Sequence, residues 1–368
     1  MGRALFGVIA LCACGSPRLT PGAELPQHVV DESQGVGAPV QRFAIRGAEV
    51  LGYGVVDVEV DGGKIVAIGA VDAGLPGVDA RGRFIAPTFV DSHVHLAYWP
   101  VGEELLDHGV TAVVDLAAPL AWLDAPRVPP ELRVIASGPM ITARRGYPTR
   151  GWGADGYGRE VGGPREAEAA VDELHAHGAK IIKLPITDGP ALAEDALRAA
   201  VQRAHERGLK VVSHALMDVE VRTAAAVGVD VLAHTPVEAV SDAAAWRGRA
   251  VISTLSAFGG SSETIDNLRQ LRAAGATVLY GTDLGNSRDA GISYDEIELL
   301  VVAGLDGPAI LDAGTRAPAA YWGLPGGVGA ISVGGPADLL ILQADPRTTP
   351  LTLAQPEAVY VAGVRRAP

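Results

Sequence analysis

A chain of 368 residues with 48% hydrophobic and 20% charged side chains carries enough apolar material for a large packed core, which excludes a disordered polymer. Its net charge of −13 disfavours a nucleic-acid partner, because no basic face is available to neutralise phosphates. Both cysteines, Cys12 and Cys14, lie near the start, so the body of the chain has no internal disulfide and no thiolate metal site; any metal there takes nitrogen and oxygen ligands.

In chain order the first element is a leader. Arg3, the apolar stretch from Ala4 to Ala13 and the ending Leu11-Cys12-Ala13-Cys14-Gly15-Ser16 are similar to a bacterial lipoprotein signal, with residues 1–14 ending on the cysteine that would receive lipid, Cys14. The apolar run is too short to span a bilayer. Residues 15–40 are rich in Gly, Pro and Gln without periodicity, as a flexible tether would be. The expectation is a protein of the bacterial cell envelope, held to a membrane through its lipid anchor.

Short β-like runs follow from Phe43 to Ile85. Val55 to Val60 alternates, Asp61-Gly62-Gly63 is a turn, and Lys64 to Ile68 returns, which predicts a hairpin. The same texture reappears in Ala337 to Leu342 and Ala358 to Gly363. Residues 41–86 and 326–368 are therefore expected to assemble one small β-sandwich from the two ends of the chain.

The middle, 87–325, alternates apolar runs with helix-forming stretches such as Pro190 to Arg207, the pattern of a parallel sheet with crossover helices. Eight candidate strands end at His95, Asp115, Ser137, Lys183, His214, His234, Thr254 and Asp283. The predicted fold class is α/β, a (β/α)8 TIM-type barrel, whose active site sits at the carboxyl ends of the strands. His93, His95, Lys183, His214, His234 and Asp283 all fall there. His93 and His95 are two apart on a strand and point to one face, so they can chelate one ion. The same spacing at His175 and His177 lies in a helical stretch, where residues two apart diverge by about 200°; that pair is read as helix surface.

Phe84 to His95, then Lys183, His214, His234 and Gly281-Thr282-Asp283 in that order resemble the metal set of the amidohydrolase superfamily. Thr315-Arg316-Ala317-Pro318-Ala319 and Gly335-Pro336-Ala337-Asp338-Leu339 are similar to its later segments. The strand-4 lysine in Gly178-Ala179-Lys180-Ile181-Ile182-Lys183 looks most like the prolidase-like and imidazolonepropionase-like branch. One departure is Thr88, where a Pro-Gly pair is commoner. The resemblance implies two zinc ions bridged by Lys183 carboxylated with CO2, since a lysine ammonium cannot ligate a cation. His93, His95 and Asp283 would hold one ion and His214 with His234 the other. A metal-bound hydroxide would attack an amide, peptide or lactam carbonyl, with Asp283 moving the proton.

A mononuclear deaminase of the superfamily would carry a glutamate three residues after the strand-5 histidine; here that position is Met217. A non-catalytic surface-binding lipoprotein would not need all six ligands. A two-carboxylate glycosidase lacks an acidic pair at strand ends beyond Asp283 and Asp115. Substrate contacts are expected in the long loop from Gly138 to Pro164, where Arg144, Tyr147, Arg150 and Trp152 stand among many glycines and suggest a flexible lid over a small amide or dipeptide-like substrate.

Overall fold

The computed structural model describes residues 41–366, so Cys14, its expected lipid and the tether lie outside the described residues. Strands β1 (Phe43–Val50), β2 (Gly54–Asp61) and β3 (Lys64–Gly69) form an antiparallel meander, and β4 (Gly77–Asp79) and β5 (Phe84–Pro87) pair parallel to β1. The hairpin expected at Asp61-Gly62-Gly63 is present. Asp61 pairs with Lys64, and Gly62 and Gly63 have φ of 54° and 78°, the left-handed pair that a two-residue hairpin turn demands.

The central region alternates strand and helix. Strands β6 (Phe89–Val94), β7 (Val110–Asp115) and β8 (Arg133–Ala136) form one parallel ladder. After it, β9 (Met140–Ala143) and β10 (Gly158–Val161) make a small parallel pair. A second parallel ladder runs through β11 (Ile181–Pro185), β12 (Lys210–His214), β13 (Val231–Leu232), β14 (Ala250–Ile252) and β15 (Thr277–Leu279). The two ladders meet at both margins. Lys180 N–H donates to the Ala136 carbonyl at 3.0 Å, and Ser92 N–H donates to the Tyr280 carbonyl at 2.9 Å.

Helices such as Pro164–Ala176, Glu194–Glu206 and Ser262–Ala274 connect the strands and bury Ala, Val and Leu faces against them. Every residue of β6 and β7 is buried, the polar Asp91, Ser92, His93, Thr111 and Asp115 included, as strands covered on both sides require. Val114, Ile135, Ile181, Val212, Ile252 and Leu279 converge on Trp322 in a separate apolar cluster. His177 caps the Pro164–Ala176 helix, and its Nδ1 lies 2.7 Å from Asp124 Oδ1 in solvent, in keeping with a helix-surface reading of the His175 and His177 pair. Among the described residues no helix is long and apolar enough to cross a membrane.

The chain closes with β16 (Leu339–Leu342), β17 (Ala358–Val361) and β18 (Val364–Arg366), antiparallel to one another, and β16 is antiparallel to β5. The two ends do join, but as one sheet ordered β18-β17-β16-β5-β1-β2-β3, with β4 beside β1, where two facing sheets were expected. The edge strand β3 returns to the run before β16: Ile65 N–H donates to the Gly335 carbonyl and Gly334 N–H to the Ile65 carbonyl. The sheet thus closes around its own core of Ile45, Val58, Ile65, Ile85, Leu339 and Tyr360. Alternating hydrophobicity specifies which face of a strand is buried and leaves its hydrogen-bonded neighbour open, so it could not separate one curled sheet from two stacked ones.

Candidate metal centre

Asp91 fastens the two strands that present the first ligands. Its Oδ1 accepts the N–H of His93 at 2.9 Å and of Thr282 at 3.2 Å, while its Oδ2 accepts the Thr282 hydroxyl at 2.6 Å. The end of β6 is thereby tied to the segment after β15. Gly281 permits the approach, since a Cβ there would lie 2.4 Å from Ile252 Cγ2 and 3.2 Å from His93 Cβ. Asp283 then turns with φ of 55°, an uncommon conformation for a residue with a side chain and one that strained functional positions adopt.

The result is a tight triangle. His93 Nε2 and His95 Nε2 are 3.3 Å apart, and Asp283 Oδ1 lies 3.3 Å from the first and 3.2 Å from the second. All three side chains are buried, and their atoms lie close enough to share one cation. His93 Nδ1 donates to the Ala233 carbonyl at 2.9 Å, which leaves the Nε2 lone pair facing the triangle. Asn286 donates to both oxygens of Asp283.

The other expected ligands surround this group. The His234 ring lies 4.5 Å from the His93 ring and 4.9 Å from the His214 ring, centroid to centroid, and His234 Nδ1 is 3.1 Å from Thr254 Oγ1. Lys183, on β11, is 1% exposed, and its Nζ has no hydrogen-bond partner among the described residues.

Burial dominates the electrostatics. It holds His93 and His234 well below the ordinary histidine range and pulls His214 down to about 3, so these rings are neutral, the form that ligates metal. Burial also lowers Lys183 to about 7, with the Asp283 charge opposing it. For Asp283 burial pushes upward, yet His93, His95 and Asn286 outweigh it and keep the carboxyl ionised. A neutral nitrogen set around one carboxylate suits a divalent ion such as zinc.

Three buried carboxylates serve the scaffold, and only their backbone partners reveal it. Asp91 was in view beside His93 without a role. Asp115, a strand-end acid, accepts N–H bonds from Leu96, Ala97 and Ala117. Glu296 accepts those of Leu255 and Ser256.

The loop after β8 is the one expected to act as a flexible lid. It holds β9 and β10 and an aromatic cluster in which Trp152 packs 4.9 Å from His95, 5.3 Å from Tyr98 and 5.4 Å from Tyr157. Trp152 Nε1 donates to Tyr147 Oη at 2.9 Å, and the Tyr147 ring stacks on His214 at 5.0 Å. Glycines here serve close packing: a Cβ on Gly146 would meet Thr142 Oγ1 at 2.4 Å, and one on Gly158 would meet Thr149 Cγ2 at 2.4 Å. Tyr147 and Trp152 therefore reach the histidines. Arg144 pairs with Glu166 in solvent, and Arg150 is exposed and makes no ion pair among the described residues.

Comparison with known proteins agrees with this geometry. An uncharacterized protein of Mycobacterium tuberculosis is 26% identical over 327 residues, covering 77% of this chain and 85% of its own. An adenine deaminase of Deinococcus deserti is 27% identical over 78% of this chain, which spans only 53% of that longer protein. Among solved structures, a Xaa-Pro dipeptidase with methionine in its active site superposes with a TM-score of 0.73 at 20% identity, covering 88% of this chain and 99% of its own, a likeness of fold. Residues 84–365 match the sequence profile of the Amidohydrolase family, and the chain belongs to that family.

Proposed function

We propose that this protein is a hydrolase that cleaves a carbon–nitrogen bond in an amide, peptide or lactam, using two zinc ions bridged by Lys183 after its carboxylation by CO2. The observation that carries the reading is the buried, unpartnered Lys183 amine among neutral imidazoles and one ionised aspartate. A buried ammonium beside a cation would be an uncompensated charge. A carbamate is an anion with two oxygen donors. With its pKa lowered to about 7, a large share of Lys183 is free amine at neutral pH. The amine lone pair attacks the carbon of CO2, one carbon–oxygen π pair moves to oxygen, and the nitrogen passes a proton to solvent water.

In this reading His93, His95 and Asp283 would hold one ion and His214 with His234 the other, with the eight parallel strands closing into a barrel around them. When bound, the ions supply Lewis acidity and lower the pKa of water. Asp283, ionised and held by Asn286, takes the proton of the attacking water and delivers it to the leaving nitrogen. Tyr147 and Trp152 cover His214 and His95 and limit the access of bulk water.

A mononuclear deaminase reading gains support from the adenine deaminase relative, but the position that would carry its glutamate is Met217. The next two carboxylates are engaged elsewhere: Asp218 accepts the N–H and hydroxyl of Ser241 and pairs with Arg222, and Glu220 accepts the N–H groups of Leu216 and Met217 at 2.7 and 3.0 Å. Placement at the cell envelope is proposed from the leader ending in Cys14 alone.

The test is turnover of a panel of dipeptides, N-acyl amino acids and lactams by zinc-loaded protein in bicarbonate buffer. Chelation and Lys183→Ala should each abolish most activity, and bicarbonate together with zinc should restore the chelated wild type. Undiminished hydrolysis by either metal-free protein or Lys183→Ala would overturn the reading.

A further inference from the structure

Thr254, two residues beyond β14, is held in a conformation that its own side chain opposes. It is wholly buried, and its φ of 40° lies in the left-handed region, an outlier for a β-branched residue. Such strain persists only where the surroundings over-determine it, and it gathers at functional positions. Here the restraints are identifiable. Thr254 N–H donates to the Gly281 carbonyl at 3.1 Å, in the segment that leads to Asp283. The next two N–H groups, of Leu255 and Ser256, end on the two carboxylate oxygens of buried Glu296 at 3.0 and 2.8 Å. One residue earlier, the Ser253 carbonyl accepts the Thr235 hydroxyl at 2.8 Å, which ties the turn to the strand end that carries His234.

The strained turn reaches the centre through its hydroxyl. Thr254 Oγ1 lies 3.1 Å from His234 Nδ1, and this imidazole is the only partner of that hydroxyl among the described residues. With Nδ1 engaged, Nε2 is the His234 nitrogen left for a cation, which requires the ring hydrogen to sit on Nδ1 and Thr254 to accept it. The imidazole has little room to turn over: the rings of His93, His214 and Phe258 lie 4.5, 4.9 and 4.8 Å away. Phe258 ends the short 3-10 helix Ser256–Phe258, whose first N–H Glu296 holds. For His93 the matching acceptor is the Ala233 carbonyl, which can only accept; a hydroxyl can also donate, so the direction of the Thr254 bond is what an experiment must read.

We infer that Thr254 is a positioning residue for His234: its strained turn, bolted by Glu296, presents a hydroxyl oxygen that accepts the Nδ1 hydrogen and keeps the Nε2 lone pair turned to the metal centre. The consequence for an ion held by His214 and His234 rests on the function proposed above, whereas the hydrogen position on His234 does not.

The experiment combines nitrogen NMR of histidine-labelled protein with zinc titration, the His234 signals being identified by their loss in His234→Gln. Thr254→Val keeps the shape of the side chain and removes the hydroxyl, and Thr254→Ser keeps the hydroxyl. In metal-free wild type and Thr254→Ser the His234 hydrogen should sit on Nδ1, and in Thr254→Val it should move to Nε2. Wild type should take up two zinc ions; Thr254→Val should weaken one of them about ten- to hundredfold and leave the other unchanged, and Thr254→Ser should bind both as wild type does. A hydrogen on Nε2 in metal-free wild type, which needs no variant to fold, would overturn the assignment. So would a Thr254→Val protein that takes up two ions with wild-type affinity. A hydrogen on Nδ1 that depends on the hydroxyl, in a protein that takes up a single ion, would uphold the role of Thr254 and contradict the two-ion reading.

Discussion

Replacing Lys183 by methionine should make the metal-free protein more stable while destroying its metal centre. Burial lowers the lysine from its ordinary value of 10.5 to about 7. At about 1.4 kcal/mol per pH unit, keeping this amine in the folded interior costs on the order of 4 kcal/mol at neutral pH. Methionine matches the length of the aliphatic stem and brings no amine, so its packing cost is about 1.5 kcal/mol or less. A net gain of roughly 2–4 kcal/mol is expected at pH 7. The sign follows from the depressed folded pKa: the unfolded chain holds a proton that the folded chain has released. Wild-type stability therefore rises with pH between about 7 and 10.5, and the advantage of the variant shrinks to roughly half by pH 9. Denaturant unfolding of chelator-treated, CO2-depleted proteins at the two pH values measures this directly. Zinc with bicarbonate should reverse the order, because only the wild type gains the free energy of binding two ions. A metal-free Lys183→Met protein that is less stable than wild type at pH 7, or an advantage that grows with pH, would refute the view of Lys183 as a buried group without a partner.

Other substitutions test the scaffold and the anchor. Thr282→Val removes the hydroxyl bonded to Asp91 Oδ2 at 2.6 Å and should cost about 1–3 kcal/mol in denaturant unfolding, with weaker zinc retention; unchanged values would mean that this clamp does not position Asp283. Gly314→Ala places a Cβ 2.2 Å from Phe89 Cε2 at the start of β6 and should cost about 1–3 kcal/mol, read as a lower melting temperature. Cys14→Ser should move the protein from the membrane fraction to the soluble fraction, and mass spectrometry of the native protein should find an acylated N-terminal Cys14. An unmodified Met1 on mature soluble protein would end the anchor hypothesis.

Much of the architecture was legible because periodicity and strand ends are local properties. The β/α alternation, the hairpin at Gly62-Gly63 and the shared face of His93 and His95 needed only residue spacing, whereas the grouping of Asp283 with that pair came from the resemblance to the amidohydrolase superfamily. What stayed hidden depends on tertiary partners. Nothing in the sequence ties Asp115 to the N–H groups of Leu96, Ala97 and Ala117, and nothing marks Gly146 and Gly158 as the close-packed positions they are. The stacking of Tyr147 on His214 joins residues 67 positions apart and has no signature in the chain.

The bridged centre is tested most directly by metal analysis combined with carbon NMR of zinc-loaded protein prepared in isotope-labelled bicarbonate. A carboxylated Lys183 between two ions gives two zinc per chain and one carbamate carbon signal, both lost in Lys183→Ala. A fully active protein with one zinc per chain and no carbamate signal would contradict it and leave a mononuclear site on His93, His95 and Asp283.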